Sequence, residues 1–285
     1  MSTTSQSKPK SNLKLVGIVI AILVIGLLGY QYLNKTQQDD VLTIGINTPT
    51  AKTMAIAAEE AKLQGVNVKL VEFSDWNTPN ITLDHGDIDA NYFQHQPYLS
   101  NTSKERGYDF NVAGIGTATH VGLYSKRFKT LAEIPEGGTA VVPNDPVNQG
   151  RALLLFQQAN LIRLKDPENH LSTLRDIQTN SKNLKFIEVE GPQTARALED
   201  TDIAFGYPNY LLLSKNHDPK DALIFDEPTG NRYALLFVTQ SDFKNKHPDK
   251  SQKLEKFIKI FQTSDKVRQS IDEDSGKDLW YADWK

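Results

Sequence analysis

The stretch VLTIGINTPTAKTMAIAAEEAKLQG, residues 41–65, decides the fold class. Its opening, Val41 to Ile46, is a short apolar run of strand composition. Thr48-Pro49-Thr50 then opens a helix predicted from Ala51 to Leu63 and closed by Gly65, so the segment reads as one β-α unit. The pattern repeats downstream. Val66 to Phe73 alternates as the next strand, Pro79 to His85 reads as helix, and Asp87 to Asn91 as a brief strand leading into aromatic residues. Later strands are predicted at Thr139 to Val142, Leu184 to Val189, Asp202 to Phe205 and Tyr233 to Thr239, with helices at Gln149 to Ala159, Gln193 to Leu198 and Asp249 to Thr263. Alternation on this scale predicts an α/β architecture with largely parallel sheets and crossover helices. No internal repeat interrupts it, and the one compositionally biased tract is the polar N-terminal tail.

The chain has 285 residues, 39% of them hydrophobic and 24% charged. That suffices for one large core or two modest ones. A formal charge of −3, from 35 acidic and 32 basic side chains, supplies no single-sign field, which argues against nucleic acid as a partner. There is no cysteine. Disulfides, thiolate metal sites, cysteine nucleophiles and lipidation through an N-terminal cysteine are thereby excluded.

The first 40 residues stand apart. Leu15 to Gly29 contains only Leu, Val, Ile, Ala and Gly, and the uncharged stretch continues to Asn34. Twenty helical residues rise about 30 Å, the thickness of a bilayer's hydrocarbon core, and Tyr30 and Tyr32 suit the far interface. Lys8, Lys10 and Lys14 precede the run. Positive charge on that side predicts a cytoplasmic tail at residues 1–14, a transmembrane anchor at 15–34 and export of the remainder, a single-pass protein of the inner membrane with its bulk in the periplasm. A cleavable signal peptide is the competing reading, but no small-residue cleavage pair follows the apolar core.

Two later runs carry the chemistry. In GDIDANYFQHQPYL, residues 86–99, rings and amides crowd the end of a strand and the start of a helix. Such a mixture suits a cleft wall, where rings give apolar area and amides and imidazole fix orientation. Plain core packing explains the same rings equally well. In VPNDPVNQGRALLL, residues 142–155, a strand and a polar turn lead into a helix N-terminus. Free backbone N–H groups there attract anions, and Arg151 adds a planar fork matched to a carboxylate. The plainer reading of Arg151 is a surface ion pair.

These two runs, with Val71-Glu72-Phe73-Ser74-Asp75-Trp76, Gly122-Leu123-Tyr124-Ser125 and Asn183-Leu184-Lys185, resemble the NlpA/MetQ family of methionine-binding lipoproteins across nearly the whole chain after residue 41. The resemblance implies a two-lobed periplasmic-binding-protein fold of type II-like form. Such a protein closes on one small ligand and delivers it to the membrane subunits of an ABC importer. It implies one lobe from residues 41–123 plus 226–285 and another from 124–225. Carried over by position, the family's ligand pocket falls on Trp76, Tyr92, Phe93 and His95 from the first lobe and Asn144, Asn148 and Arg151 from the second. The aromatic group would surround the ligand side chain, and Arg151 would pair with its carboxylate.

Two departures stand out. Family members begin with a signal peptide ending in a lipid-modified cysteine, which this chain lacks, so its anchor would be the helix itself. Where the family carries an asparagine before an Asn-Tyr or Thr-Tyr pair, this chain has Tyr207, in Ala204-Phe205-Gly206-Tyr207-Pro208-Asn209-Tyr210. That bears on whether methionine or another amino acid, small sulfur compound or short peptide is bound.

Other chemistries lack support in the sequence. The six histidines include no i,i+4 pair, which argues against a zinc enzyme. His120, before Val121-Gly122, reads as a hydrogen-bonded structural histidine. No G-x-S-x-G, Walker A or dinucleotide string occurs, so neither an enzyme nor a cofactor is expected. Asp87 and Asp89 read as a capped turn rather than an acid/base pair. The alternative function is a membrane-tethered relative that has left transport and acts in sensing or interaction.

Overall fold

A computed structural model describes residues 41–215, 217–227, 230–282 and 284, together with Leu23. The expected tail and transmembrane anchor at 1–34 lie outside the described residues. Among the described residues no helix is long and apolar enough to cross a membrane.

The chain runs β1 (Leu42–Asn47), α1 (Ala51–Leu63), β2 (Val68–Phe73), α2 (Thr78–Asp84), β3 (Ala90–His95), α3 (Gln96–Arg106), β4 (Phe110–Ile115), β5 (Ala118–Thr119), β6 (Gly122–Tyr124), β7 (Thr139–Pro143), α4 (Pro146–Gln158), β8 (Ile162–Leu164), β9 (Ile177–Asn180) and β10 (Lys185–Val189). It continues through α5 (Thr194–Ala197), β11 (Ile203–Gly206), α6 (Pro208–Ser214), β12 (Ile224–Phe225), β13 (Leu235–Gln240), α7 (Phe243–Lys246), α8 (Pro248–Thr263), α9 (Asp265–Ser275) and β14 (Trp280–Tyr281).

Two five-stranded sheets result, ordered β2-β1-β3-β13-β4 and β10-β7-β11-β6-β12. The chain is thus a two-lobed α/β protein. Within the sheets β2-β1-β3 and β10-β7-β11 pair in parallel, while β13 runs antiparallel to β3 and β4, and β6 antiparallel to β11 and β12. The expectation of largely parallel sheets therefore holds for half of each. The antiparallel strands are those next to the places where the chain leaves one sheet for the other. It leaves the first sheet after β4 and returns after β12, so the described residues 116–121 on the way out, and 226–227 and 230–234 on the way back, belong to the two crossings.

The β-α reading of residues 41–65 agrees with the fold. Leu42, Ile44 and Ile46 of β1 are almost wholly buried between neighbouring strands and helices. In α1, Met54, Ala57 and Ala61 recur at helical spacing and face the core. Gly65 follows the helix with φ +80°, a left-handed conformation that costs glycine nothing. One strand departs from expectation. Asp87 to Asn91 is not the strand; β3 starts at Ala90 and takes in the aromatic run to His95, all six residues buried. The reason lies in Asp89, whose carboxylate accepts the Thr43 N–H at 2.7 Å and the Lys250 ammonium at 3.0 Å and so ties the turn to β1. Likewise Gly230–Tyr233 forms a tight turn, and the strand predicted from Tyr233 starts at Leu235.

Each lobe has its own core. In the first, Tyr92, Phe237, Phe257 and Phe261 pack beneath α1, α8 and α9, with Tyr92 stacked on Phe237 at 4.4 Å. In the second, Tyr124, Phe156 and Phe205 fill the space between sheet and α4.

Candidate functional site

Between the lobes lies a cavity lined by side chains from both sheets' loops and helices. Its aromatic wall comes first from Trp76, in the loop after β2. The Asp75 carboxylate accepts the backbone N–H groups of Asn77 and Thr78, both at 2.7 Å, and so shapes that loop. Trp76 Nε1 donates across the cleft to the Tyr210 hydroxyl at 2.9 Å, and the Tyr98 hydroxyl donates to the Trp76 carbonyl at 3.0 Å. The indole lies against the backbone of Gly191 in the other lobe: a Cβ there would sit 2.0 Å from a ring atom.

The end of β3 supplies the floor. Tyr92 lines the cavity with its ring, while its hydroxyl is occupied by Thr117 of the first crossing, 3.1 Å from both hydroxyl and backbone N–H. Burial pushes the Tyr92 hydroxyl pKa up to about 12, so it is a neutral wall. Phe93 also lines the space. His95 links the lobes, with Nε2 3.2 Å from Asn148 Oδ1. Its Nδ1 accepts the Tyr98 N–H at 3.2 Å, which places the proton on Nε2 as donor to Asn148. Burial, then the Arg151 charge, lowers the His95 pKa to about 4, so the imidazole is neutral at ordinary pH.

The facing wall grows from the N-terminus of α4. Asp145 caps it, accepting the Asn148 N–H at 2.9 Å and the Asn148 amide at 3.0 Å, which aims Asn148 Oδ1 at His95. Arg151, one turn on, is only 6% exposed. Its guanidinium stacks on Tyr233 at 3.9 Å and donates from Nε (3.1 Å) and Nη2 (2.5 Å) to Asp226 Oδ2, and from Nη2 to the Thr119 carbonyl (3.3 Å). The surface-pair reading of Arg151 is therefore replaced by a buried pair at the cavity wall. Asp226 does more than neutralise it. From the second crossing it also accepts the N–H of Val121 in the first at 2.9 Å, and its carbonyl oxygen lies 3.1 Å from His120 Nδ1.

Tyr207, just before α6, completes the wall. Its ring is fixed by Trp76 (5.4 Å), Phe205 (5.2 Å) and Tyr210 (6.1 Å), all edge-on. Its hydroxyl is buried with no hydrogen-bond partner. Burial, reinforced by the Asp145 carboxylate, raises its pKa well above the ordinary phenol value, so it is a protonated donor.

Of the residues singled out from the sequence, Trp76, Tyr92, Phe93, His95, Asn148, Arg151 and Tyr207 converge on this cavity. Asn144 does not: exposed, it borders a separate crevice with Glu190 and Pro192. Sequence reasoning missed Asp226, Tyr233 and Asn47 at the site, while Tyr98, among the rings of the 86–99 run, lines it as that run suggests. The only signal for Asp226 was its position at the implied lobe boundary. Among the described residues no group of three His, Asp or Glu side chains could hold a metal ion.

Comparison with known proteins places this geometry. The profile of the NlpA lipoprotein family matches residues 42–282. A probable D-methionine-binding lipoprotein MetQ of Pasteurella multocida is 39% identical over 232 residues, covering 81% of this chain and 82% of the relative. D-methionine-binding lipoprotein MetQ of Escherichia coli K12 is 41% identical over 70% of this chain and 73% of its own. Among solved structures, a nutrient binding protein from Burkholderia cenocepacia bound to methionine superposes with a TM-score of 0.77 at 36% identity, over 85% of this chain and all of that one. With its family profile, its relatives and its two-lobed fold in agreement, the chain belongs to the NlpA lipoprotein family and is a solute-binding protein, not an enzyme.

Proposed function

We propose that this protein captures methionine, or a related amino acid, small sulfur compound or short peptide, outside the cytoplasm and hands it to the membrane subunits of an ABC importer. The observation that carries this reading is the interlobe cavity, where an aromatic wall faces one buried arginine. Trp76, Phe93, His95 and Tyr207 would enclose the ligand, Tyr92 and Asn148 would hold the walls, and Arg151 would meet its acid group. Residues 41–123 plus 226–285 would form one lobe and 124–225 the other, joined at the two crossings. Residues 15–34 would anchor it in the inner membrane with 1–14 in the cytoplasm, an arrangement supported by the apolar run and the lysines before it. Asn144 is retained only as a contact from the rim.

Titration calorimetry with a panel of amino acids, short peptides and small sulfur compounds tests the proposal. Saturable binding of a methionine-like solute that is lost in Arg151→Ala is the expected result. Absence of binding across the panel would overturn it. Tyr207 favours a second reading, a tethered relative that no longer serves uptake. It predicts binding, or none, with no loss of solute uptake when the protein is deleted.

A further inference from the structure

Charge in the cavity is sorted by lobe. Among the described lining residues the one permanent cation, Arg151, stands on α4, and the partnerless Tyr207 hydroxyl just before α6, both in the lobe of the second sheet. The one carboxylate, Asp274, stands on α9, which packs into the core of the first sheet's lobe through Val267 and Ile271. Thr53 and Ser275, beside it, line the same cavity.

Asp274 is held by one oxygen and not by the other. Its Oδ2 accepts the N–H and hydroxyl of Thr53 at 3.2 and 2.6 Å, which fixes the side chain to α1, while Oδ1 has no donor among the described residues. The groups next to it are engaged elsewhere: Asp272 accepts Trp280 Nε1 at 2.7 Å, and Glu273 takes the Lys52 ammonium. Asp274 is also the last residue but one of α9, where the carbonyls of the final turn already gather negative charge. A half-buried carboxylate at that end of a helix works against the fold, and a cation at Oδ1 would relieve it.

A solute held between the lobes touches both walls. Its acid group belongs against Arg151 and Tyr207, and a cationic group against Asp274. An ammonium has three N–H donors and needs acceptors once it leaves water. The lining amide oxygens of Asn47, Gln94 and Asn148 can add a second bond, but they are uncharged and each already accepts one. A hydrogen bond between charged partners is the stronger.

We infer that Asp274 Oδ1 receives the ammonium group of the bound solute, which makes Asp274 a specificity-determining residue facing Arg151 from the other lobe. That ammonium belongs either to a single amino acid or to the N-terminus of a short peptide. The inference rests on the proposed ligand site and adds a residue to it.

The test is calorimetry on the full chain with L-methionine, glycyl-L-methionine and 4-(methylthio)butanoate, the last being methionine without its ammonium. The parent should bind at least one of the two ammonium-bearing solutes about tenfold or more tightly than the acid, the factor that one hydrogen bond between charged groups corresponds to. Asp274→Asn keeps an oxygen for Thr53 and removes the charge, so it should erase that margin and leave the affinity for the acid unchanged. The solute whose affinity falls identifies the source of the ammonium. Asp274→Ser serves if the asparagine variant does not fold. An acid that binds the parent as tightly as both other solutes, or a margin that survives the substitution, whether or not all affinities fall together, overturns the inference and leaves the ligand site standing. No binding by any of the three overturns the site as well.

Discussion

Removing Arg151 should have two separable consequences, because the residue both faces the cavity and neutralises a buried carboxylate. Arg151→Met takes away both donors to Asp226 Oδ2, at 3.1 and 2.5 Å, and leaves a carboxylate only 15% exposed with the Val121 N–H at 2.9 Å and His120 Nδ1 at 3.5 Å beside its other oxygen. Breaking a buried pair in this way costs about 3 to 5 kcal/mol. For a folded unit of this size each kcal/mol moves the melting temperature by about 2 to 4 °C, so the fall should be on the order of 10 °C. Asp226→Asn, which keeps an acceptor for Val121, should cost a similar amount by stranding the guanidinium. The double variant Arg151→Met/Asp226→Asn should recover most of the loss, since neither charge is then left alone. Ligand affinity should not recover with it. It should stay at least about a hundredfold below the parent, because the cavity's cation is gone. Thermal unfolding of the four proteins, with calorimetry beside it, reads both quantities. Additive losses of stability would show that the pair is not coupled, and a double variant that binds like the parent would remove Arg151 from the ligand site.

The remaining expectations concern His95, Gly191 and the membrane anchor. His95 has a folded-state pKa of about 4 against about 6.5 unfolded, so its neutral form stabilises the fold fully above pH 6.5 and the contribution drains away as pH falls to 4, about 3 kcal/mol in all; in melting curves from pH 7 to pH 4, His95→Gln should flatten part of the wild-type decline, and parallel curves would contradict this. Gly191→Ala places a methyl 2.0 Å from the Trp76 ring, so closure should be hindered and ligand affinity should drop about tenfold with little change in stability; small-angle scattering that shows the same ligand-induced compaction as the parent would count against it. The full chain should pellet with membranes and keep residues 1–34, whereas N-terminal sequencing that begins downstream of Gly29 would exclude an uncleaved anchor.

Local pattern made some of this legible and not the rest. The α1 helix over Ala51–Leu63 is visible because Met54, Ala57 and Ala61 repeat at its own period and Gly65 ends it. The strand β3 was misplaced because Gln94 and His95 are polar and look like a strand's exit. They are buried all the same: Gln94 exchanges hydrogen bonds with Asn80 and donates one to Asn91 Oδ1, and His95 reaches across to Asn148. Asn80 and Asn148 lie on other elements, 14 and 53 residues away along the chain.

The same limit governs the site's charge. Arg151 announces itself at a helix start, but what it does depends on Asp226, 75 residues away, and the two meet only because both crossings pass the same point. There the carboxylate of one crossing accepts the backbone of the other and the arginine of the second lobe. Any motion of the lobes about these crossings must carry Arg151 with it or break that set, so the residue proposed to meet the ligand is also tied to the crossings. On the proposed reading, a ligand that draws Arg151 toward itself would act on the crossings directly and so couple capture to closure.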